Sequence, residues 1–483
     1  MKSKTVIIVL IGSFHFSSNA QSPLYGHADF NDAGIYAVVM NPASGNKTPD
    51  KLSINLSGAG FLFSSNTAKT NLSYSLLEIA TAKPLREGNS EFSSPYFKLI
   101  DKNVKHPSVY LNAEVLLPSF KVNINPRLSF FGLLRERVVG NLTNISGDVI
   151  QIMSNNSFSI ENGISATFRL KAMAFQQAGL GFSSTLFQKH EHLIKAGATL
   201  NFDKGMGLYI LSLDQFDFRY NKKNLSLNSE YKESMMDQNH YTKNDNTLSY
   251  FSQEALGKGV HTDWGIIYEF RPYSLKNTYS RYNAKGKNKN FISTRTIRYL
   301  FKVSASVRDL GTIKFSNGIK NKGYSVHTTM PFDSFQNNTN PGNVYSLIDR
   351  ISNRDSSSGI NIKLPAVANI SFDYNLKPGW FLNFGYTQNL RFKKTLESFS
   401  QPSTLQFSVR KESDKFSYSL PIYVIPSQKI FNFGFIMKAG PLFISTYNIR
   451  SLFSKKMQSF SLAAGLVFTI KYRHDPTIES NNW

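Results

Sequence analysis

Phe460-Ser461-Leu462-Ala463-Ala464-Gly465-Leu466-Val467-Phe468-Thr469-Ile470-Lys471-Tyr472 is the stretch whose reading decides the fold. Phe460, Leu462, Ala464, Leu466, Phe468, Ile470 and Tyr472 share one face, and Ser461, Ala463, Gly465, Val467, Thr469 and Lys471 share the other. A repeat of two residues belongs to a strand. The 13-residue run exceeds the roughly five or six residues of an ordinary soluble strand and meets the roughly 9 to 11 needed to cross a bilayer at a tilt. The pattern recurs. Ile194, Ala196, Ala198, Leu200 and Phe202 alternate with Lys195, Gly197, Thr199 and Asn201, and Phe301, Val303, Ala305 and Val307 alternate with Lys302, Ser304, Ser306 and Arg308. Trp264, Ile266, Tyr268 and Phe270 give a less clean case, because Ile267 joins Gly265 and Glu269 on the other side.

Turn residues punctuate these runs. Lys377-Pro378-Gly379 separates Ile370 to Leu376 from Trp380 to Gln388 and predicts a tight hairpin. Asp203-Lys204-Gly205, between the strand ending at Phe202 and Leu208 to Leu211, predicts a second. Ala439-Gly440-Pro441 reads either as a turn or as a kink in one strand. Two long polar stretches, Asn221 to Lys258 and the basic Pro272 to Asn290, read as loops on the outer side. A secreted sandwich or propeller alternates too, but its strands are shorter. The small and polar residues opposite the apolar face suit a crowded lumen, and the reading is a closed antiparallel transmembrane β-barrel of about 14 strands, within roughly 12 to 16.

The chain has 483 residues, no cysteine and a charge of 55 − 32 = +23. Disulfides, thiolate metal sites and a cysteine nucleophile are excluded. Lys2 and Lys4, the apolar Val6 to Phe16, and Ser18-Asn19-Ala20 before Gln21 predict a cleaved signal peptide over residues 1–20. Its apolar core is too short to span a bilayer as a helix. The expected organisation is signal peptide 1–20, an N-terminal segment 21–50, a barrel over 51–473 and a periplasmic tail 474–483, with the cell outer membrane as location.

Several short motifs recur in order along the chain: Tyr25-Gly26-His27-Ala28-Asp29-Phe30 with Tyr36 to Ala43, Leu117-Pro118-Ser119-Phe120, Arg135-Glu136-Arg137, Asp263 to Phe270, Asp309-Leu310-Gly311 and Ala439 to Ile444. In this order they resemble a Bacteroidetes outer-membrane barrel family of unknown function that is similar to FadL- and PorV-type barrels. The resemblance implies a closed barrel whose N-terminal segment enters the lumen as a plug, with Asn41 and Pro42 in it. It implies no activity, since fold likeness is not function.

Little chemistry is encoded locally. No Gly-x-Ser-x-Gly, Walker or His-Glu-x-x-His motif is present, and no Ser pairs with a His, so neither an enzyme nor a cofactor is expected. His190-Glu191-His192 reads as an exposed hairpin tip and not as a metal site, and His261 beside Asp263 as a strand end. Arg135 and Arg137 share a face, while Lys195, Lys302, Arg308 and Lys471 fall on inward faces with Glu269 and Asp373 as counter-charges. These are the candidate lumen-lining residues. Paired, they fill a barrel; unpaired, they would draw an anionic headgroup inward. Nucleic acid is excluded, because the aromatics are expected to face lipid. The expected partners are outer-membrane lipid, a small hydrophobic, amphipathic or anionic molecule, or a surface or secretion-system protein. Two functions follow as expectations: passage or binding of small hydrophobic or amphipathic molecules, with residues 21–50 gating, or an anchored docking scaffold.

Overall fold

A computed structural model describes residues 25–46, 50–70, 74–75, 77–78, 97–99, 104, 107–125, 127–146, 164–221, 224–236, 254–272, 299–316, 319–331, 353–355, 359–391, 395–413 and 416–471. The expected signal peptide and C-terminal tail lie outside the described residues. Long alternating runs become long strands: β1 Asp50–Ser65, β2 Ser108–Leu116 continued by Ser119–Asn125, β3 Leu128–Thr143, β4 Phe168–Lys189 and β5 His192–Asn221. Then come β6 Gly257–Phe270, β7 Phe301–Phe315, β8 Ile360–Lys363 continued by Val367–Lys377, and β9 Trp380–Asn389. The wall is completed by β10 Thr404–Lys411, β11 Phe416–Ile425, β12 Ile430–Phe433 with Phe435–Ala439, β13 Leu442–Thr446 and β14 Ser459–Lys471.

Each strand pairs antiparallel with the next, and β1 pairs back onto β14 from Asp50 opposite Lys471 to Ser64 opposite Ser459. The described residues thus form a closed barrel of 14 strands. Closure leaves no unpaired sheet edge, which is what allows a β-structure to sit in lipid. The outward side chains are apolar: Leu180 and Leu186 are each 66% exposed, and Phe202, Trp264, Phe372 and Phe468 stand on the same outer surface. A soluble protein would not present so continuous an apolar belt. Most inward positions are charged, polar or glycine, with apolar ones gathered in places, and the barrel is an outer-membrane one.

Three expectations about connections are corrected or resolved. Asp203-Lys204-Gly205 is not a turn, because β5 runs straight through it. The register against β4 slips between Ala174/Gly207 and Phe175/Gly205, so the backbone freedom is spent on a bulge at Met206. Ala439-Gly440-Pro441 is a turn, with Gly440 at φ 56° linking β12 to β13. Gly379, at φ 81°, closes the β8–β9 hairpin as expected.

The remaining correction concerns sides. Crossing one strand reverses the end of the barrel, so the connections flanking β6 lie at opposite ends. Phe270 pairs with His192 and Phe301 with Tyr374, beside the tight turns at 190–191 and 378–379. The basic stretch 272–290 therefore attaches at the short-turn end and not among the outer loops; from residue 273 it lies outside the described residues. The short-turn end faces the periplasm in such barrels.

Two further strands, Asn224–Met236 and Ile319–Pro331, pair along their whole length. Asn224–Met236 also pairs with residues 209–221 of β5, carrying the wall on past the rim at the long-connection end.

Candidate functional site

The interior is built from three layers of side chains and one length of chain. Residues 25–46 cross the lumen as α1 Tyr25–Ala28, α2 Ile35–Met40 and a 3-10 turn Pro42–Asn46. Every residue of α2 is buried and, the Tyr36 hydroxyl apart, apolar, so the helix has no solvent face to offer. It stops at Asn41, whose extended backbone is the conformation favoured before proline. The segment touches opposite walls. Tyr36 Oη donates to Asn55 of β1 at 2.6 Å, Ser306 of β7 donates to the Met40 carbonyl at 2.9 Å, and Ser183 of β4 donates to the Ala43 carbonyl at 3.0 Å.

Glycines make room for it. A Cβ on Gly58 or Gly465 would overlap the Tyr36 hydroxyl, and one on Gly197 or Gly265 would overlap Pro42 or Asn41. Asn41 donates to the Ala305 carbonyl at 3.1 Å and accepts from the Ala43 amide at 2.9 Å, holding the turn against β7. The two candidate plug residues thus lie on the glycine face of β5 and β6.

At the short-turn end, ion pairs surround the segment. Lys195 donates to Glu269 at 3.0 Å and to the Asn46 carbonyl at 2.8 Å. Lys302 and Arg410 both reach Asp373, at 3.1 and 2.9 Å, and Arg410 also reaches Glu412 at 2.6 Å. Glu412 accepts the Asn31 amide at 3.1 Å, Lys438 pairs with Asp32, and Tyr299 donates to Asn31 at 3.0 Å. Burial, with the Asp373 carboxylate beside it, pushes the Tyr299 phenol well above its ordinary pKa, so it remains a donor.

Above the segment lies a second charged layer. Arg135 pairs with Glu114 at 3.3 Å, and Arg137 forks onto Asp309 at 2.7 and 3.1 Å. His261 contacts Asp203 at 2.7 Å, and the Asp309 amide donates to Asp263 at 2.8 Å. The register between β6 and β7 slips here, setting Arg308 and Asp309 opposite Asp263, and Asp309 has φ 58°. This bulge turns two consecutive side chains inward. Arg308 reaches the Met40 sulfur at 3.1 Å.

His261 is therefore not a strand-end residue; it is buried at the centre of this layer, because its register places it inward on β6. Donor atoms of His261, Asp263 and Asp309 lie within 4.8 Å of one another, the spacing of a cation site. Arg137 and the Asp309 amide already occupy these carboxylates, so the set is satisfied internally.

A third, apolar layer lies toward the long-connection end. Met173, Phe175, Leu208, Ile210, Ile313, Phe315, Ile362 and Leu364 face inward and meet Phe399 from the β9–β10 connection. That connection folds into the lumen: Lys171 donates to the Ser398 carbonyl at 2.6 Å and the Thr395 carbonyl at 3.1 Å, and Asn141 accepts the Ser400 amide at 3.0 Å. Phe175, Phe315, Phe399 and Phe443 face inward and are exceptions to the expectation that the aromatics mostly face lipid, which Phe202, Trp264, Phe372, Phe384 and Phe468 on the outer face follow.

Of the candidate residues, Arg135, Arg137, Lys195, Glu269, Lys302, Arg308 and Asp373 are buried inside the barrel. Lys471 pairs with Asp50 in register, and its side chain lies outside what is described. Sequence reasoning missed Glu114, Asp203, Asp309, Arg410 and Glu412. Asp203 was hidden by its turn-like neighbours, while Glu114 and Arg410 lie in strands whose alternation was readable.

The family described as "Family of unknown function (DUF5723)" matches residues 42–447. The chain belongs to this family. No curated protein matches the chain. Among solved structures, it is similar to a TodX monoaromatic hydrocarbon channel carrying the deltaS2 mutation, at 9% identity and TM-score 0.43, over 91% of this chain and 95% of that one. It is also similar to a Pseudomonas aeruginosa FadL homologue, at 11% identity and TM-score 0.39, over 95% and 99%. The Ralstonia pickettii toluene transporter TbuX is a further similar structure, at 9% identity and TM-score 0.31, over 91% and 94%.

Proposed function

We propose that this DUF5723 barrel passes small hydrophobic or amphipathic molecules across the outer membrane, with residues 21–50 acting as a plug that gates the lumen. The observation that carries the reading is the apolar layer around Phe175, Phe315 and Phe399, inside a lumen whose other layers are charged. An apolar layer of the lumen, packed against a folded-in loop that could withdraw from it, suits the passage of an apolar solute. The segment fits a gate because its recorded contacts with the walls are non-covalent: hydrogen bonds, ion pairs and apolar packing that can part and re-form.

Proteoliposomes test this reading. Uptake of a small apolar solute is expected with the full-length protein and is expected to change in rate when residues 25–46 are deleted. Uptake no faster than in empty liposomes for both proteins would reject it. A docking role is favoured by one observation, the paired strands Asn224–Met236 and Ile319–Pro331 that extend the wall past the rim. Cross-linking on intact cells would then recover one stoichiometric protein partner through these strands.

A further inference from the structure

The short-turn mouth of the barrel holds a cavity of about 300 Å³ beside the end of the N-terminal segment. Three cationic side chains line it, Arg127, Lys195 and Arg271, and its described lining contains no Asp or Glu. Glu269 stands behind two of them, taking Lys195 at 3.0 Å and the Arg271 Nε at 2.9 Å. One carboxylate thus serves two cations, and Arg127 adds a third charge.

The donors are not used up. A lysine ammonium has three N–H groups, and Lys195 directs one to Glu269 and one to the Asn46 carbonyl. Arg127 lies in the β2–β3 turn, fixed by its amide donating to Asn125 Oδ1 at 2.8 Å, and its guanidinium makes no hydrogen bond or ion pair among the described residues. Its fork presents five N–H groups in the plane that matches a carboxylate or phosphate. Neutral polar groups, including Ser184, Thr185 and Gln188, complete the lining together with Leu128 and Leu193.

We infer that this cavity is an oxyanion-binding site at the periplasmic mouth, taking a small carboxylate or phosphate between Arg127, Lys195 and Arg271. The bound anion meets Lys195, the residue that also holds the Asn46 carbonyl, so the site adjoins the last anchor of the segment. The inference stands on the cavity itself and does not depend on which solute the barrel passes.

Calorimetric titration of the full-length protein in detergent tests it, with butyrate and inorganic phosphate as separate probes. Saturable binding of at least one is expected, and which of them binds distinguishes a carboxylate site from a phosphate site or shows a site open to both. Arg127→Ala should weaken binding about tenfold, and Arg127→Glu should abolish it. Arg127 is exposed and unpaired, so both variants are expected to fold. Absence of saturable binding by either anion overturns the inference, as does binding that persists unchanged in Arg127→Glu.

Discussion

At the scale of single residues, the interior is decided by where side chains are missing. Gly58 and Gly465 face each other across the β1–β14 pair, and the Tyr36 hydroxyl fills the space they leave on its way to Asn55. Replacing Gly58 by Ala puts a methyl group where that hydroxyl lies. The strand tolerates alanine, so the cost falls on the segment. Gly58→Ala should leave the barrel heat-modifiable on gels while residues 25–46 become open to added protease; equal protection in both proteins would contradict the seating. The alternation rule could place these glycines inward, and it did for Gly197, Gly265 and Gly465. It could not say that they form a seat, because contact between residue 36 and residues 58 and 465 depends on closure of the barrel.

At the scale of elements, the informative irregularity is the bulge in β7. Asp309 adopts a left-handed backbone that Asp and Asn accept more readily than other non-glycine residues, and Arg137 neutralises its carboxylate. Asp309→Asn removes the charge but keeps the backbone preference, whereas Asp309→Ala removes both. Both variants should be destabilised, because Arg137 is left buried without its partner, and thermal unfolding in detergent should show Ala worse than Asn by about 1 kcal/mol. Equal stability of the two would place the whole effect in the ion pair.

Elements also show what was legible. The runs at 194–202, 301–307 and 460–471 appear as strands with the faces read from the sequence, and Lys377-Pro378-Gly379 closes its hairpin. Asp203-Lys204-Gly205 misled because turn residues and bulge residues share the same chemistry, and only pairing to β4 separates them. His261 misled for a related reason: a lone histidine beside an aspartate gains meaning only when Asp203 and Asp309 arrive from neighbouring strands. Individual strands were local information, and Glu269 and Asp373 could be read as inward counter-charges to the lysines they pair with. The pairs made by Glu114, Asp203, Asp309 and Arg410 depend on strand register and were not legible.

At the scale of the molecule, the sense of the alternation is inverted relative to a soluble protein, with the apolar face outside. Leu200, on the outer face of β5, therefore meets lipid. Leu200→Arg should cost roughly 2–4 kcal/mol if it lies near the bilayer midplane, as measured by refolding into lipid vesicles, whereas an exposed leucine on a water-facing sheet would tolerate it. The same inversion leaves the lumen as the place where charge is stored, and it is filled from both ends: by the segment and its ion pairs at one, and by Phe399 with its apolar neighbours at the other. Under the proposed function, a barrel with two closures in series should open fully only when both are removed. Conductance in planar bilayers tests this most directly, comparing the full-length protein, deletion of residues 25–46, Phe399→Ala, and the two changes combined. The combined variant is predicted to conduct well beyond the sum of the single changes, with the full-length protein nearly silent. A combined variant as silent as the full-length protein would contradict the account.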